Sequence, residues 1–358
     1  MKLALRQARK GLGRTSPNPP VGAVVVAGEQ VIGEGFHPKA GEPHAEVFAL
    51  DRAGAAARGA TLYVTLEPCC HTGKRTPPCT ERVLASGVTR VVIGALDPNP
   101  LVAGRGVEIL RAAGLAVETG VRRRACERLI EGFTRHVLTG RPFVTLKFAA
   151  SLDGRAFAKD GSSRWITGPE ARRAVHKLRD RCDAIMVGIG TALADDPQLN
   201  TRIDGGRDPV RVVIDARAQL PPTARMLTGS TAPTLVVVTA DAPAARREAL
   251  VKAGAEIFEA PGEGGRVDLA EVLAELGRRG LCTVLAETGP RMSTALLAQG
   301  LVDKVVGFVA PKLIGGDGGN VVVRDLSRPS IGQALALARP RWRAVGADVM
   351  LQAYLERN

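Results

Sequence analysis

Short apolar runs alternate with helical patterns along the chain of 358 residues, and no other feature restricts the fold as much. Such alternation signals α/β architecture, with helices covering mostly parallel sheets. In the first part the strand candidates are Val21–Val26, Leu62–Leu66, Arg90–Leu96 and a weaker Ala116–Thr119. Helices are predicted at Ala4–Lys10, Ala45–Ala57 and Cys79–Ser86, the last stopped by Gly87, and a basic helical segment spans Arg122–Leu138. Thr139-Gly140-Arg141-Pro142 breaks the pattern. Strands restart at Phe143–Ala149 and continue through Ala184–Val187, Val210–Ile214, Leu235–Thr239, Thr283–Ala286 and Val305–Ala310, with Val349–Tyr354 closing the sheet. Helices Leu269–Gly277 and Met292–Ala298 flank the Thr283–Ala286 strand, and Pro261–Gly265 reads as a surface loop. The chain exceeds the size at which one core stops growing, so the Gly/Pro break divides it into domains 1–140 and 141–358.

Composition narrows the class of protein. Apolar residues at 45% and charged residues at 24% exclude wholesale disorder. No apolar run approaches the roughly 18 residues a membrane span needs. The N-terminal MKLALRQARKGLGR is too often interrupted by charge for a secretory signal, so a cytoplasmic protein without a membrane partner is expected. The net charge of +13 suits an anionic partner, either nucleic acid or a phosphorylated small molecule. Aromatics at 3% are too few for a single-strand stacking platform, which weakens the nucleic-acid option.

The cysteines carry the sharpest chemical signal. Cys126, Cys182 and Cys282 are scattered and read as small buried hydrophobes, whereas Cys69, Cys70 and Cys79 cluster. Clustered cysteines in a chain without a secretory signal point to metal or redox chemistry before disulfides. His44-Ala45-Glu46 precedes Pro68-Cys69 and Cys79, and one His with two Cys leaves a zinc one position open for water. Pro43 marks a helix start at which His44 and Glu46 can both turn toward one point, and Pro78 marks another before Cys79. Helix N-termini favour thiolate. Glu46, kept off the metal, is then the proton shuttle. The pattern is that of zinc nucleobase deaminases, in which activated water attacks an amino-bearing ring carbon. The competing reading is a structural zinc completed by Cys70 or His71; Cys70, adjacent to Cys69 in an extended segment, would point away.

Beyond these residues the chain resembles a known family along its whole length. Ser16-Pro17-Asn18-Pro19, Gly41-Glu42-Pro43-His44-Ala45-Glu46, Tyr63-Val64-Thr65-Leu66-Glu67-Pro68-Cys69 and Thr76-Pro77-Pro78-Cys79 carry the resemblance first. Asp97-Pro98-Asn99-Pro100, Val102-Ala103-Gly104-Arg105-Gly106, Lys147, Ser151-Leu152-Asp153-Gly154 and Trp165-Ile166-Thr167 continue it. Leu193-Ala194-Asp195-Asp196-Pro197, Ile214-Asp215, Glu287, Gly289-Pro290 and Ala310-Pro311-Lys312-Leu313 complete it. Together they are similar to the bifunctional deaminase/reductases of riboflavin biosynthesis. The chain departs from that pattern in one extra residue between Cys69 and Cys79, and in Ala216 and Arg291 where small polar residues are expected.

The resemblance implies a cytidine-deaminase-like three-layer α/β domain followed by a dihydrofolate-reductase-like domain. The first would remove an amino group from a phosphorylated diaminopyrimidinone, with Zn2+ on His44, Cys69 and Cys79, Glu46 as catalytic residue, and Asn18, His71, Lys74 and Asn99 on the substrate. The second would use NADPH to reduce the ribosyl group to ribityl. Lys147 and Asp195 are its expected catalytic residues, and Ser163, Arg179, Leu199, Arg202 and Glu287 its substrate contacts. Ala149, Trp165, Thr191, Asp195, Gly289, Pro290, Arg291, Met292, Ser293, Thr294 and Ala295 would line NADPH, and a homo-oligomer is expected. Without the resemblance this second site would pass unnoticed: Gly188-Ile189-Gly190 is a lone GxG, and Gly289-Pro290 offers only a generic phosphate-facing turn. Arg179, Lys74 and Asp195-Asp196-Pro197 would read as solvated bases and a turn, and Trp165 as core. Two rivals stay open. One is a nucleic-acid base deaminase with a basic accessory domain; the other is a binding module in which zinc is structural.

Overall fold

The structure is a computed structural model that describes every residue except 72–76, 230–231, 317 and 357–358. It comprises two compact units, Met1–Pro142 and Phe143–Asn358. No helix among the described residues is long and apolar enough to cross a membrane.

The first unit contains strands β1 (Gly22–Ala27), β2 (Gln30–Phe36), β3 (Thr61–Leu66), β4 (Arg90–Ala95) and β5 (Ala116–Thr119). Its helices are α1 (Lys2–Ala8), α2 (Ala45–Ala53), α3 (Cys79–Ala85), α4 (Arg105–Ala112), α5 (Arg123–Glu127) and α6 (Glu131–Thr139). The sheet order is β2-β1-β3-β4-β5, with β1 antiparallel to β2 and β3, and the rest parallel. Glycines set the layers. A Cβ on Gly35 would lie 2.3 Å from Ala45 O, and one on Gly22 would lie 2.1 Å from Ala4 O. Gly35 pairs with Ala23 and Gly22 with Phe36, so α2 and α1 press on opposite faces of one sheet. Between them Val64, Ile93, Leu62 and Leu50 form the core.

The second unit contains β6 (Phe143–Ser151), β7 (Ala184–Gly188), β8 (Val210–Ile214), β9 (Thr234–Val238), β10 (Ala255–Glu259), the short β11 (Gly262–Glu263) and β12 (Arg266–Val267), β13 (Thr283–Ala286), β14 (Lys304–Ala310), β15 (Leu337–Val345) and β16 (Asp348–Leu355). Its helices are α7 (Pro169–Arg181), α8 (Ile189–Asp195), α9 (Arg225–Thr228), α10 (Ala244–Lys252), α11 (Leu269–Arg278) and α12 (Pro290–Ala298). The main sheet runs β10-β9-β8-β7-β13-β6-β14-β16-β15, parallel as far as β14 and antiparallel beyond. The chain leaves β6, winds outward to β10, and returns to insert β13 beside β6. In parallel sheets the crevice beyond the carboxyl ends of strands at such a reversal is where ligands bind.

Several expectations are corrected. Arg122–Leu138 is two helices, because Cys126 of α5 seats on Gly94, where a Cβ would lie 2.2 Å from its sulfur, and the chain turns before α6. Pro261–Gly265 holds β11, which forms a small hairpin with β12. Val349–Tyr354 lies inside the sheet rather than closing it, since β15 pairs along its outer side. Strands β2, β10 and β15 escape the sequence reading.

Candidate active sites

In the first unit three elements deliver their ends to one point. His44 is the residue that caps the start of α2, with extended backbone, and Cys79 opens α3 after Pro78. Cys69 follows β3. His44 Nδ1 lies 3.1 Å from Cys79 Sγ and 3.6 Å from Cys69 Sγ, and the backbone N–H of Cys79 donates to Cys69 Sγ at 3.4 Å. The ligand atoms of His44, Cys69 and Cys79 all lie within 4.8 Å of one another, and both cysteines are buried. Tetrahedral zinc with its usual N and S bond lengths sets such atoms about 3.5–3.8 Å apart, so the donor set fits the ion in type and spacing. The extra residue between Cys69 and Cys79 does not prevent convergence. Cys70 is half-buried and stands outside the group.

The electrostatics favour a cation here. The hydrogen bond to Cys69, burial and the carboxylate of Glu46 all push the Cys79 thiol well above its ordinary value. A bound metal would make thiolate the stable form. Glu46, in the first turn of α2, is 3% exposed, and among the described residues its Oε2 has no hydrogen-bond partner. Burial pushes its carboxyl up, with His44 opposing. Around this centre Asn18 Nδ2 lies 3.1 Å from His37 Nε2, while His37 Nδ1 donates to Pro43 O at 3.0 Å. A carbonyl only accepts, so Nε2 is the acceptor for Asn18. The His37 ring stands edge-on to His44 with centroids 5.1 Å apart. His37 thus joins Asn18 to the metal ligand. It has no motif around it, and only its position in space singles it out. His71 is half-buried, Asn99 lies in the loop after β4, and Lys74 lies outside the described residues.

In the second unit the strand register assembles a charged cluster. Leu146 of β6 pairs with Ala286 of β13, which sets Lys147 and Glu287 side by side one step further on. Arg179 of α7 grips Glu287 with two bonds, Nε to Oε1 at 2.8 Å and Nη2 to Oε2 at 2.9 Å, and Nη1 donates to Asn200 O at 3.1 Å. Burial opposes ionisation of Glu287, but Arg179 and Lys147 overcome it and hold the carboxyl down at about 2. Burial pulls Lys147 below its ordinary value against the pull of Glu287. Two cations around one carboxylate leave a net positive site. His176, one turn before Arg179, accepts the backbone N–H of Arg202 at 3.4 Å, and burial and both arginines lower its proton affinity. Its spacing from Arg179 on one helix was the available signal.

Beside this cluster the turns β7–α8 and β13–α12 run together. A Cβ on Gly289 would lie 3.4 Å from Thr191 Oγ1, and one on Gly188 would lie 3.4 Å from Met292 Sδ. Both helix starts therefore open on the same edge of the sheet, as an anionic ligand requires. Pro290 opens α12, Arg291 is exposed and Ala295 packs on the core. Ser293 is turned inward, bonded to Thr288, and Thr294 donates to Pro290 O. Ala149 lies on β6 opposite Phe308 of β14. Trp165 is 60% exposed rather than core, stacked under Arg172 at 4.5 Å. Ser163 is half-buried, and Leu199 is buried with a left-handed backbone at φ 54°. Arg202 reaches Asn200 Oδ1 at 3.2 Å and Gln198 Oε1 at 3.3 Å. The side chain of Asp195 lies 3.8 Å from Arg164, and its described contacts do not include Lys147 or Glu287.

Comparison with known proteins resolves what these two sites belong to. The RibD C-terminal domain model matches residues 142–351, and the zinc-binding region of cytidine and deoxycytidylate deaminases matches residues 1–95. The riboflavin biosynthesis protein RibD of Aquifex aeolicus is 42% identical over 352 residues, covering 98% of this chain and 96% of its own. The chain belongs to the RibD family. Acinetobacter baumannii RibD superposes with a TM-score of 0.86 at 41% identity, covering 99% of this chain and 98% of its own. A Thermotoga maritima deaminase/reductase gives 0.85 at 37% identity, covering 99% and 97%. As a RibD family member the chain is a bifunctional enzyme of riboflavin biosynthesis, a hydrolytic deaminase and an NADP-dependent reductase acting on a small phosphorylated pyrimidine with zinc and NADPH. The fold class is as expected, a cytidine-deaminase-like domain followed by a reductase domain like dihydrofolate reductase.

Proposed function

We propose that the activities divide at the Thr139–Pro142 break, with residues 1–140 carrying deamination and 141–358 carrying reduction. The proposed substrate is 2,5-diamino-6-(ribosylamino)-4(3H)-pyrimidinone 5′-phosphate, which loses its 2-amino group before its ribosyl group is reduced to give 5-amino-6-(ribitylamino)uracil 5′-phosphate. The Thermotoga maritima relative is a diaminohydroxyphosphoribosylaminopyrimidine deaminase and 5-amino-6-(5-phosphoribosylamino)uracil reductase, which supports this choice. The observation that carries the reading is the convergence of His44, Cys69 and Cys79 beside a buried Glu46 oxygen that has no hydrogen-bond partner among the described residues.

His44 Nδ1 and the two cysteine sulfurs would hold zinc, which supplies a Lewis acid able to lower the pKa of water. Glu46 Oε2 takes the proton released by the attacking water and returns it to the departing amino group, a transfer its raised proton affinity favours. Asn18, His71, Lys74 and Asn99 hold the pyrimidine and its ribose phosphate. In the reductase, NADPH supplies hydride, and Ala149, Trp165, Thr191, Asp195 and Gly289–Ala295 line it. Reduction at ribose C1 needs the ring opened to an imine-like acceptor. Lys147 Nζ gives the ring oxygen its proton, and ionised Glu287 stabilises positive charge at C1. Asp195 assists from the cofactor side. Ser163, Arg179, Leu199 and Arg202 hold the substrate, the net positive cluster matching its phosphate.

Binding is confined to small molecules, without nucleic acid, in a cytoplasmic homo-oligomer. The exposed edge strand β15, with Trp342 63% exposed, supports self-association. Light scattering on the purified chain tests that state. The activities are tested by supplying the ribotide with and without NADPH, following ammonia and NADPH absorbance together. Ammonia should appear without NADPH, and NADPH should be consumed only after deamination. Salt-dependent RNA binding without NADPH binding would overturn the reading.

A further inference from the structure

We infer that Glu67 is a positioning residue for deamination, holding the loop that carries Asn99 in register with the strand that delivers Cys69. The inference rests on the reading that Asn99 touches substrate. Glu67 directly follows β3, two residues before Cys69, and is 3% exposed. Its Oε2 accepts the backbone N–H of Asp97 at 3.1 Å and of Gly104 at 3.0 Å, and its Oε1 accepts that of Val107 at 3.2 Å. One carboxylate therefore closes the 97–104 loop at both ends and caps the first turn of α4. The residue at the cap position, Gly104, has no side chain to do so, and its backbone is left-handed at φ 93°.

The loop between these anchors is rigid in the same sense. Asp97 Oδ1 accepts the N–H of Asn99 at 2.8 Å, and Asn99 Oδ1 accepts the N–H of Leu101 at 3.0 Å. Donation from Asn99 to a ligand must then come from Nδ2. The start of α4 also lies hard against the segment that carries Cys69, because a Cβ on Gly106 would be 2.4 Å from Pro68 O and 3.1 Å from Glu67 Oε1. The three donors are all backbone N–H groups, so the site needs a group that only accepts. A carboxylate meets that need; an amide would turn its NH2 toward at least one of them.

Full-length Glu67→Gln, Asn99→Ala and the double variant are compared by zinc content, thermal transition and steady-state ammonia release. Glu67→Gln should keep its zinc and raise KM for the ribotide about tenfold while kcat changes far less, since the lost contact acts on substrate hold. Asn99→Ala should raise KM similarly, and the double variant should be no worse than Asn99→Ala, because both act through one contact. An unchanged KM in Glu67→Gln beside a raised one in Asn99→Ala overturns the positioning role alone. No effect of Asn99→Ala overturns the reading of Asn99 and the inference with it. If Glu67→Gln loses zinc, Glu67→Asp is measured in the same way. Zinc and activity falling together in both variants would assign Glu67 to the stability of the metal centre and refute the proposal.

Discussion

Arg179→Met should destabilise the second unit by about 2–3 kcal/mol at neutral pH, and the loss should fade in acid. The side chains of Arg179 and Glu287 are only 14% and 13% exposed, so solvent screens their double hydrogen bond little. Burial alone would raise the Glu287 carboxyl above 4.5, yet it stands at about 2. That depression corresponds to roughly 3 kcal/mol of coupling. Lys147 supplies part of it and remains in the variant, hence the smaller expected loss. The folded pKa lies below the unfolded one, so the contribution is complete above about pH 4.5 and is lost as pH falls toward 2. The gap between wild type and variant should therefore be full at pH 7 and close between pH 4.5 and 2. Urea unfolding followed by tryptophan emission measures it, because both tryptophans of the chain, Trp165 and Trp342, lie in the unit Phe143–Asn358. A gap below about 1 kcal/mol at pH 7, the value of an exposed pair, would refute the reasoning. So would a gap of constant size through the acid window.

Cys79→Ser should lose zinc while Cys70→Ser keeps it, by metal analysis of the purified chains; full zinc in Cys79→Ser would remove that residue from the ligand set. Glu46→Gln should retain zinc yet release ammonia about 10²–10⁴-fold more slowly, and substantial residual deamination would mean that another group moves the proton. Gly35→Ala places a Cβ 2.3 Å from Ala45 O and 2.7 Å from Ala49 N, so it must push α2 and its cap residue His44 off the sheet. A lower melting temperature of the first unit and weaker zinc retention against a chelator are expected, and a variant matching wild type in both would show the contact to be soft.

How far the sequence reveals this molecule depends on the range over which each feature is encoded. Strands β3, β4, β8 and β13 are buried apolar runs between turn residues, and their limits are legible within a residue or two. Strand β2 is not, because Gly33 and Gly35 interrupt its alternation for a reason that lies on another element, the backbone of α2. Strand β15 is hidden by its own exposure, with Arg339, Arg341 and Arg343 where an internal strand would be apolar. The metal centre leaves a local trace because its ligands must sit at element ends, and ends carry punctuation: Pro43 before His44, Pro68 before Cys69, Pro78 before Cys79. His37 leaves none, since its link to Asn18 and Pro43 is made only once the chain has folded. The reductase cluster is the extreme case. Lys147 and Glu287 meet because Leu146 registers with Ala286 across parallel strands whose order the sequence does not state. Arg179 meets them from a helix on which Arg173, Lys177 and Arg181 are exposed. A site assembled by strand register has no motif to find, which is why residue patterns alone expose the zinc centre but only resemblance along the chain exposes the reductase.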